Sequence, residues 1–328
     1  MTIKELFAPS DMTVGKPWEK IVIFTIPMLI GNIAQQLYNT VDSIVIGKYV
    51  GDNALAAVGS ASPILNLLLV LFVGISVGAG VMVSQYFGAR QREELSMTIG
   101  NCVTLTAISS LIIMFLGAVL SRPLLELLNT PDSIIDWCTS YLVILMVGCI
   151  GCAYYNILCG ILRGLGDSIS ALIYLLVATV LNIILDIVFV SRFQMGVAGV
   201  AYATIISEAC SALFVTLFLV FNHKGFVRLN IHELIPKKDV LLEILKIGIP
   251  SGLQGLGFGI PNVLIQSSLY SIHGLTLAGQ LISDDEIVAG SAAANTIENY
   301  VFAITDSCAA ACISFVGQNF GAKKEENV

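Results

Sequence analysis

Residues 54–83 read ALAAVGSASPILNLLLVLFVGISVGAGVMV, a run without a single charged side chain. A helix needs about 20 apolar residues to cross the hydrocarbon core of a bilayer. A membrane β-strand needs only about 10, and its polarity alternates from residue to residue, which this run does not do. Because lipid offers no hydrogen-bond partner to the backbone, we expect residues 54–83 to form a transmembrane α-helix.

Seven other apolar stretches of comparable length lie on either side of this one. They cover residues 21–47, 98–120, 134–159, 169–191, 197–221, 244–272 and 287–316. The composition agrees, since 56% of the residues are hydrophobic and only 12% are charged, about half the charged fraction of a soluble domain. A net charge of −7 without a basic patch excludes a nucleic-acid partner. The sequence therefore predicts an all-α integral membrane protein with eight transmembrane helices.

The basic residues are distributed unevenly between the two ends of these spans. Only Lys48, Arg122 and Arg192 fall on one side, and all the other lysines and arginines fall on the opposite side. Cytoplasmic loops carry the excess of basic residues, and an even number of spans returns the chain to the side where it started. We therefore expect a multi-pass protein of the cytoplasmic (plasma) membrane, with its N-terminus in the cytoplasm.

Two parts of the chain repeat each other. Residues 84–90 read SQYFGAR after the second span, and residues 317–323 read GQNFGAK after the eighth. An Ile-Pro pair begins the first and the seventh spans, as Ile26-Pro27 and Ile249-Pro250. Six helices separate the two copies, so both cross the membrane in the same direction. Parallel repeats of this kind are typical of secondary transporters with two lobes.

The repeat divides the chain into four parts. They are a cytoplasmic N-terminal arm (1–20), an N-terminal six-helix lobe (21–222), a cytoplasmic inter-lobe linker (223–243) and an incomplete C-terminal lobe (244–328). The last part holds two helices where the repeat predicts six. The chain is therefore interpreted either as ending at Val328 or as part of a longer transporter.

Several polar residues lie inside the predicted spans, where a charged side chain costs about 2.5–3.5 kcal/mol. In the first span Asn32, Gln35, Asn39 and Asp42 are spaced three, four and three residues apart, which places them on one helix face. This face is too polar for lipid, so it lines a cavity or hydrogen-bonds to other helices. In the fifth span Asn182 and Asp186 are one turn apart, either as an ion site or as a structural pair.

Three more acids lie in the later spans. Glu208 either lines a cavity or reaches a membrane surface, and Glu298 and Asp306 either attract a cationic substrate or pair structurally. The sequence has no Walker A motif, no nucleophile–base pair and no histidine cluster, so we expect neither an enzyme nor a nucleotide-driven pump. Cys149 and Cys152 form a CxxC without a second ligand pair, so no metal site is predicted from them.

The chain resembles the multidrug and toxic compound extrusion (MATE) family. The matching segments are Ile26-Pro27, Asp42, residues 84–90, LRGLGD at 162–167, NIILD at 182–186, GVAGVAYAT at 196–204 and GQNFGA at 317–322. The resemblance implies a truncated twelve-helix, two-lobe fold, of which this chain covers the N-terminal lobe and two helices of the C-terminal lobe. The second copy lacks an acid at the position equivalent to Asp42, which is similar to the DinF-like branch.

The resemblance also implies functional residues. Asp42, Asn182, Asp186 and Thr204 match an ion-coupling site of the N-terminal lobe, with Asn156 as a further candidate. The coupling ion would be H+ or Na+, and no other metal or cofactor is implied. Pro27 matches a proline that lets the first helix bend, although a proline near a helix start is also compatible with a benign role. Asn32, Gln35, Asn39, Glu208, Glu298 and Asp306 are the candidates for the substrate cavity.

The function predicted from these features is an ion-coupled antiporter that exports small organic, cationic drugs or toxins by alternating access. A lipid-linked oligosaccharide flippase of the same fold is a rival prediction, but its pyrophosphate substrate calls for basic residues that the spans lack. The sequence is also compatible with a membrane receptor without transport activity and with an inactive truncated fragment. It leaves the oligomeric state, the individual substrate and the choice of ion open.

Overall fold

The computed structural model describes residues 10–127, 130, 132–221, 231–270, 276–277, 280–281 and 284–328. Within them the α-helices are α1 (Pro17–Tyr49), α2 (Asp52–Gly88), α3 (Arg92–Leu127), α4 (Ile135–Val147), α5 (Cys149–Gly164), α6 (Ser168–Ile187), α7 (Gly196–Phe221), α8 (Lys238–Tyr270) and α9 (Asp284–Gly321). A π-helical turn (Val188–Arg192) follows α6, and 3-10 turns cover Ile231–Leu234 and Glu325–Asn327. Two-residue strands, β1 (Thr276–Leu277) and β2 (Gln280–Leu281), pair between α8 and α9.

The predicted fold class is confirmed. Seven of the described helical segments are long and apolar enough to cross a membrane, and α4 and α5 together make an eighth span that is bent by 54°. The predicted spans coincide with these helices, but the helices extend further at their polar ends. For example, α1 begins at Pro17 and α8 at Lys238, within the segments predicted as arm and linker. Residues 1–9 of that arm and 223–230 of that linker lie outside the described residues, as does residue 222.

The bend in the fourth span occurs at Gly148, inside the stretch 134–159 that was predicted to cross the membrane. A Cβ at Gly148 would collide with the side chain of Ile205 in α7. Glycine therefore permits the close approach of Ile205 to the backbone at the bend.

Pro27 lies in the interior of α1, ten residues after its first residue. A proline has no N–H to donate to the carbonyl four residues earlier, here that of Ile23, and its ring crowds that carbonyl. Near a helix start this loss would have no consequence, but in the interior it leaves a weak point in the hydrogen-bond ladder. The same holds for Pro250 in α8, the counterpart of Pro27 in the second repeat.

Helix α8 packs against α2 through glycines. A Cβ at Gly74 would lie 2.5 Å from the carbonyl oxygen of Gly248 and 2.9 Å from the backbone nitrogen of Gly252. One turn further along, a Cβ at Gly78 would lie 2.5 Å from the carbonyl oxygen of Ile244. Small residues permit such backbone-to-backbone contact, which is a common way for membrane helices to associate without a hydrophobic driving force.

The sequence repeat reappears as a repeated backbone conformation. Arg90 and Lys323 occupy equivalent positions, and both have a positive φ, 58° and 56° respectively. After α2 the N–H of Gln91 donates to the carbonyl of Tyr86, and after α9 the N–H of Lys324 donates to that of Asn319. Each helix thus ends in the same six-residue hydrogen-bonded loop, with a basic residue in the left-handed position that usually favours glycine.

These two helix ends meet at one face of the molecule. A Cβ at Gly88 would collide with the backbone of Gln318, and one at Gly321 would collide with the backbone of Gln85. The N–H of Ser10 donates to the carbonyl of Gly166 (3.3 Å), so the N-terminal segment lies at this face too. We call it the arm face: residues 10–16, the turn 89–91 after α2, the turn 165–167 after α5, and residues 317–328.

Residues 231–237, the described part of the segment before α8, are hydrogen-bonded to α3. The hydroxyl of Thr104 donates to the carbonyl of Leu234 (2.6 Å), and the N–H of Lys237 donates to Oδ1 of Asn101 (2.6 Å). A Cβ at Gly100 would collide with the carbonyl of Glu233. Residues 231–237 therefore lie along one lobe rather than crossing open space.

Candidate functional site

Two carboxyl groups, those of the half-buried Asp42 and the buried Asp186, meet between α1 and α6. Asn182 and Asp186 lie one turn apart on α6, and Asp186 is fully buried. One terminal atom of the Asn182 amide lies 3.1 Å from Oδ1 of Asp42 and 3.3 Å from Oδ2 of Asp186. With its nitrogen in that place, the amide donates a hydrogen bond to both carboxyls. The structure therefore brings Asp42, Asn182 and Asp186 together.

The Asn182 amide thus bridges the two carboxyl groups. An ionised carboxylate only accepts hydrogen bonds, so a side chain that bridges two of them has to donate to both, as an amide NH2 group can. Among the described residues, Oδ1 of Asp186 is buried without a hydrogen-bond partner. Two negative charges this close in a medium of low dielectric repel each other strongly, and a shared proton or a bound cation removes that repulsion.

Thr204 of α7 completes this group, and Asn156 of α5 does not join it. The hydroxyl oxygen of Thr204 lies 3.4 Å from the other terminal atom of the Asn182 amide. The hydroxyl itself donates to the carbonyl of Val200 (3.1 Å). The Asn156 amide instead donates to the carbonyl of Cys152 in its own helix (2.9 Å). Of the five predicted ion-coupling residues, four therefore form one cluster.

The polar face predicted on α1 is divided between two neighbours. Asn32 donates to Oγ of Ser307 (3.0 Å) and to Oδ2 of Asp306 (3.3 Å), both on α9. Gln35 instead lines a cavity inside the first lobe. At 100° per residue, positions 32 and 35 differ by about 60°, whereas positions 35 and 42 differ by only about 20°. One edge of the face therefore meets α9, and the other meets the carboxyl pair.

The cavity lies between α1, α5, α6 and α7. Its lining includes polar side chains from three of these helices: Gln35, Tyr38, Thr179, Asn182, Thr204, Ser207 and Glu208. Because Asn182 and Thr204 belong both to the cavity and to the carboxyl cluster, the cavity leads to Asp42 and Asp186. The hydroxyl of Thr179 is buried with no hydrogen-bond partner among the described residues.

The sequence reasoning missed three of these residues. Tyr38 precedes Asp42 by four residues, Thr179 precedes Asn182 by three, and Ser207 follows Thr204 by three. Each therefore shares a helix face with a residue that was predicted. That spacing was the available signal, and the apolar ring of Tyr38 and the common occurrence of Ser and Thr in membrane helices obscured it.

The remaining candidates lie at the edge of this site. Asn39 is exposed, and its carbonyl accepts from the hydroxyl of Ser43 (3.0 Å). Asp306 and Glu298 are exposed on α9, and only Asp306 has a described contact with α1, through Asn32. Within one helical turn of Pro27, Phe24 and Met28 pack with Ala311 and Phe315 of α9. The bend-prone segment of α1 therefore lies against α9.

Comparison with known proteins finds a match to the MatE family model over residues 27–188. A probable multidrug resistance protein of Bacillus subtilis, YpnP, is 33% identical over 97% of this chain and 68% of its own length. The multidrug export protein MepA of Staphylococcus aureus strain MRSA252 is 26% identical over 79% of this chain and 57% of its own length.

A solved structure agrees with these sequence matches. It is described as the outward-facing conformation of a multidrug resistance MATE family transporter of the MOP superfamily. It superposes on all of this chain with a TM-score of 0.86 and 27% identity. The superposition covers 69% of that chain, so the described protein spans about two thirds of the length of such relatives. On the identity and coverage of these matches, the chain is a multi-pass membrane protein that belongs to the MatE family.

Proposed function

We propose that this chain is the ion-coupling part of an antiporter that exports small organic, cationic compounds in exchange for H+ or Na+. The observation that carries the proposal is the pair of carboxyl groups of Asp42 and Asp186, bridged by the amide of Asn182 inside the first lobe. Burying two carboxyls costs stability, so such a pair in a membrane lobe is best explained by a function.

The chemistry of the cluster suits either ion. A proton can be shared between the two carboxyls, since one protonated group donates to the other. A sodium ion would instead be held by oxygen atoms of Asp42, Asp186, Asn182 and Thr204, because hard cations prefer carboxylate, amide and hydroxyl oxygens. In both cases the arriving positive charge removes the repulsion between the carboxylates, and its departure restores it.

The contacts of α1 suggest how ion binding moves the lobes. Asp42 lies near one end of α1, and Phe24, Met28 and Asn32, which contact α9, lie around Pro27. Because the carbonyl of Ile23 has no helical donor, α1 can bend at low cost at this point. Filling the carboxyl pair would favour one shape of α1, and the contacts with α9 would pass that preference to the second lobe. Alternating access needs an ion that binds more tightly to one conformation of the lobes than to the other, and this preference of α1 would supply that difference.

The substrate class and the orientation rest on charge. The relatives' names refer to multidrug export, and the acids Glu208, Glu298 and Asp306 favour cations over anions. The arm face carries Arg90 after α2 and Lys323 and Lys324 after α9, and Arg163 lies in the last turn of α5. This face is therefore assigned to the cytoplasm of a plasma membrane. A flippase for lipid-linked oligosaccharides is less favoured, since the only charged side chain in the described cavity lining is that of Glu208.

The test replaces one carboxylate at a time. Asp42→Asn and Asp186→Asn should each abolish efflux of a fluorescent organic cation from energised membrane vesicles, because the amide cannot take up the proton. Asp136→Asn is the matched control, since Asp136 is an exposed acid that pairs with Arg122 at 3.2 Å. Imposing a proton gradient or a sodium gradient alone identifies the ion. Undiminished efflux by the Asp42 variant, inserted at normal levels, would refute the proposal.

A further inference from the structure

The inference concerns the closed arm face and rests on the proposed alternating access, in which one face must be sealed while the other is open. We propose that Gln318 of α9 is the positioning residue that holds the arm face closed, by tying the second lobe to the first lobe and to the N-terminal arm. Gln318 is fully buried although it is polar and near the end of a helix.

Both ends of the Gln318 amide have partners in other segments. Its Oε1 accepts from the N–H of Met12 (2.9 Å), and its Nε2 donates to the carbonyl of Gly164 at the end of α5 (3.2 Å). One side chain therefore joins the arm, the first lobe and the second lobe. When the lobes separate, all these polar groups lose their partners together, so the contact is made or broken as a unit.

Asn319 strengthens the same junction. Its Nδ2 donates to the carbonyl of Met12 (3.3 Å), so both backbone groups of Met12 are bound to neighbouring residues of α9. The side chain of Met12 is buried among Phe24, Met28 and Phe315. The arm therefore lies in the junction between α1 and α9, where an opening of the lobes would have to pass.

The arm is also bound to the first lobe. The N–H of Ser10 donates to the carbonyl of Gly166 (3.3 Å), and the carboxylate of Asp11 pairs with Arg90 (3.6 Å). A few residues of the arm thus bridge the two repeated helix ends, where the backbones of Gly88 and Gln318 are already in contact. Opening this face must release the arm from one lobe or the other, and Gln318 is the side chain common to both sets of contacts.

Hydrogen–deuterium exchange of the full protein in lipid nanodiscs tests the proposal without any transport. In Gln318→Ala, peptides that cover residues 10–16 should exchange about tenfold faster, because two hydrogen bonds of the closed state are lost. Peptides at the opposite face, around Gly51 and Gly196, should exchange more slowly, because opening one face closes the other. A merely structural role of Gln318 would not slow exchange anywhere.

Two further variants make the result decisive. Thr305→Ala is the matched control on α9, since the hydrogen bonds described for that hydroxyl go to carbonyls of its own helix, and it should leave the arm protected. Met12→Pro removes the N–H that donates to Oε1 of Gln318. The double variant with Gln318→Ala should therefore show little more arm exchange than either single variant. Unchanged arm exchange in both single variants would overturn the proposal. Absence of efflux by the unmodified protein would instead refute only the proposed function.

Discussion

Replacing Gly74 with alanine would force α2 and α8 apart. The new Cβ would lie 2.5 Å from the carbonyl oxygen of Gly248, 2.9 Å from the nitrogen of Gly252 and 3.0 Å from its Cα. All three are backbone atoms, so no side chain can rotate out of the way. Relief requires the helices to separate by several tenths of an ångström, and a gap of about 0.5–1 Å already forfeits a quarter to a half of each dispersion contact.

The expected cost is about 1–3 kcal/mol, the usual range for overpacking a well-packed contact. For a chain of this size that corresponds to a fall in melting temperature of about 1.5–4.5 °C. A maleimide dye that becomes fluorescent on reacting with thiols would report the transition, because Cys102 and Cys138 are buried in the folded protein.

Gly59→Ala is the matched control in the same helix. A Cβ at Gly59 meets nothing within 4 Å, so the substitution adds only helix propensity, worth up to about 1 kcal/mol. We expect this variant to melt at or above the temperature of the unmodified protein. If Gly74→Ala proved as stable as Gly59→Ala, the contact between α2 and α8 would not be the close glycine packing described here.

Two further predictions concern acids of the arm face. Asp167 caps α6 by accepting from the N–H (2.9 Å) and hydroxyl (2.6 Å) of Ser170. Burial raises the pKa of Asp167 despite these bonds, so its contribution to stability is present at low pH and declines as the pH rises through the raised value. At pH 8, the free energy of unfolding of Asp167→Asn should therefore be no lower than that of the unmodified protein. That of Asp167→Ala should be lower by about 1 kcal/mol, because the helix cap is lost. A destabilised Asn variant would contradict this. At Asp11 burial alone would raise the pKa, but the hydrogen bonds from Thr13 and the charge of Arg90 outweigh it and lower the pKa below its ordinary value. Arm docking should therefore persist at neutral pH and weaken as the pH falls through that lowered value. Hydrogen–deuterium exchange of residues 10–16 that does not rise in acid, after correction for the intrinsic pH dependence of exchange, would refute it.

The hydrophobic lengths of the spans were enough to predict the fold class, because a helix that crosses lipid must satisfy its own backbone and needs a long apolar run. The bend at Gly148 could not be predicted in the same way. Gly148 contacts Ile205, which is far away in sequence, and nothing within residues 134–159 distinguishes this glycine from one in a straight helix.

The site was predictable only in part. Helical spacing shows that Asn182 and Asp186 share a face, but it cannot show which helix that face meets. The meeting of α6 with Asp42 came from the family resemblance, and the structure places the two acids in contact. The division of the α1 face could have been worked out from angles alone, yet which edge meets α9 depends on the packing of the whole lobe.

Gln318 shows another limit. Its place in the repeat was evident from the sequence, and the repeat was interpreted as evidence for two lobes. That the two copies touch each other and hold the arm between them follows from the packing of α2 against α9, which pattern alone does not give.

The π-helical turn over Val188–Arg192 has a consequence for how the gene can change length. A turn of this kind is an α-helix with one additional residue accommodated in it. Deleting one residue there would restore α-helical winding without rotating Asn182 and Asp186, which lie before it, relative to the rest of α6. Elsewhere in α6 the same deletion would turn every later side chain by about 100°. Within the helical segment that carries Asn182 and Asp186, the stretch just beyond them is therefore where the loss of one residue has the smallest effect on the site.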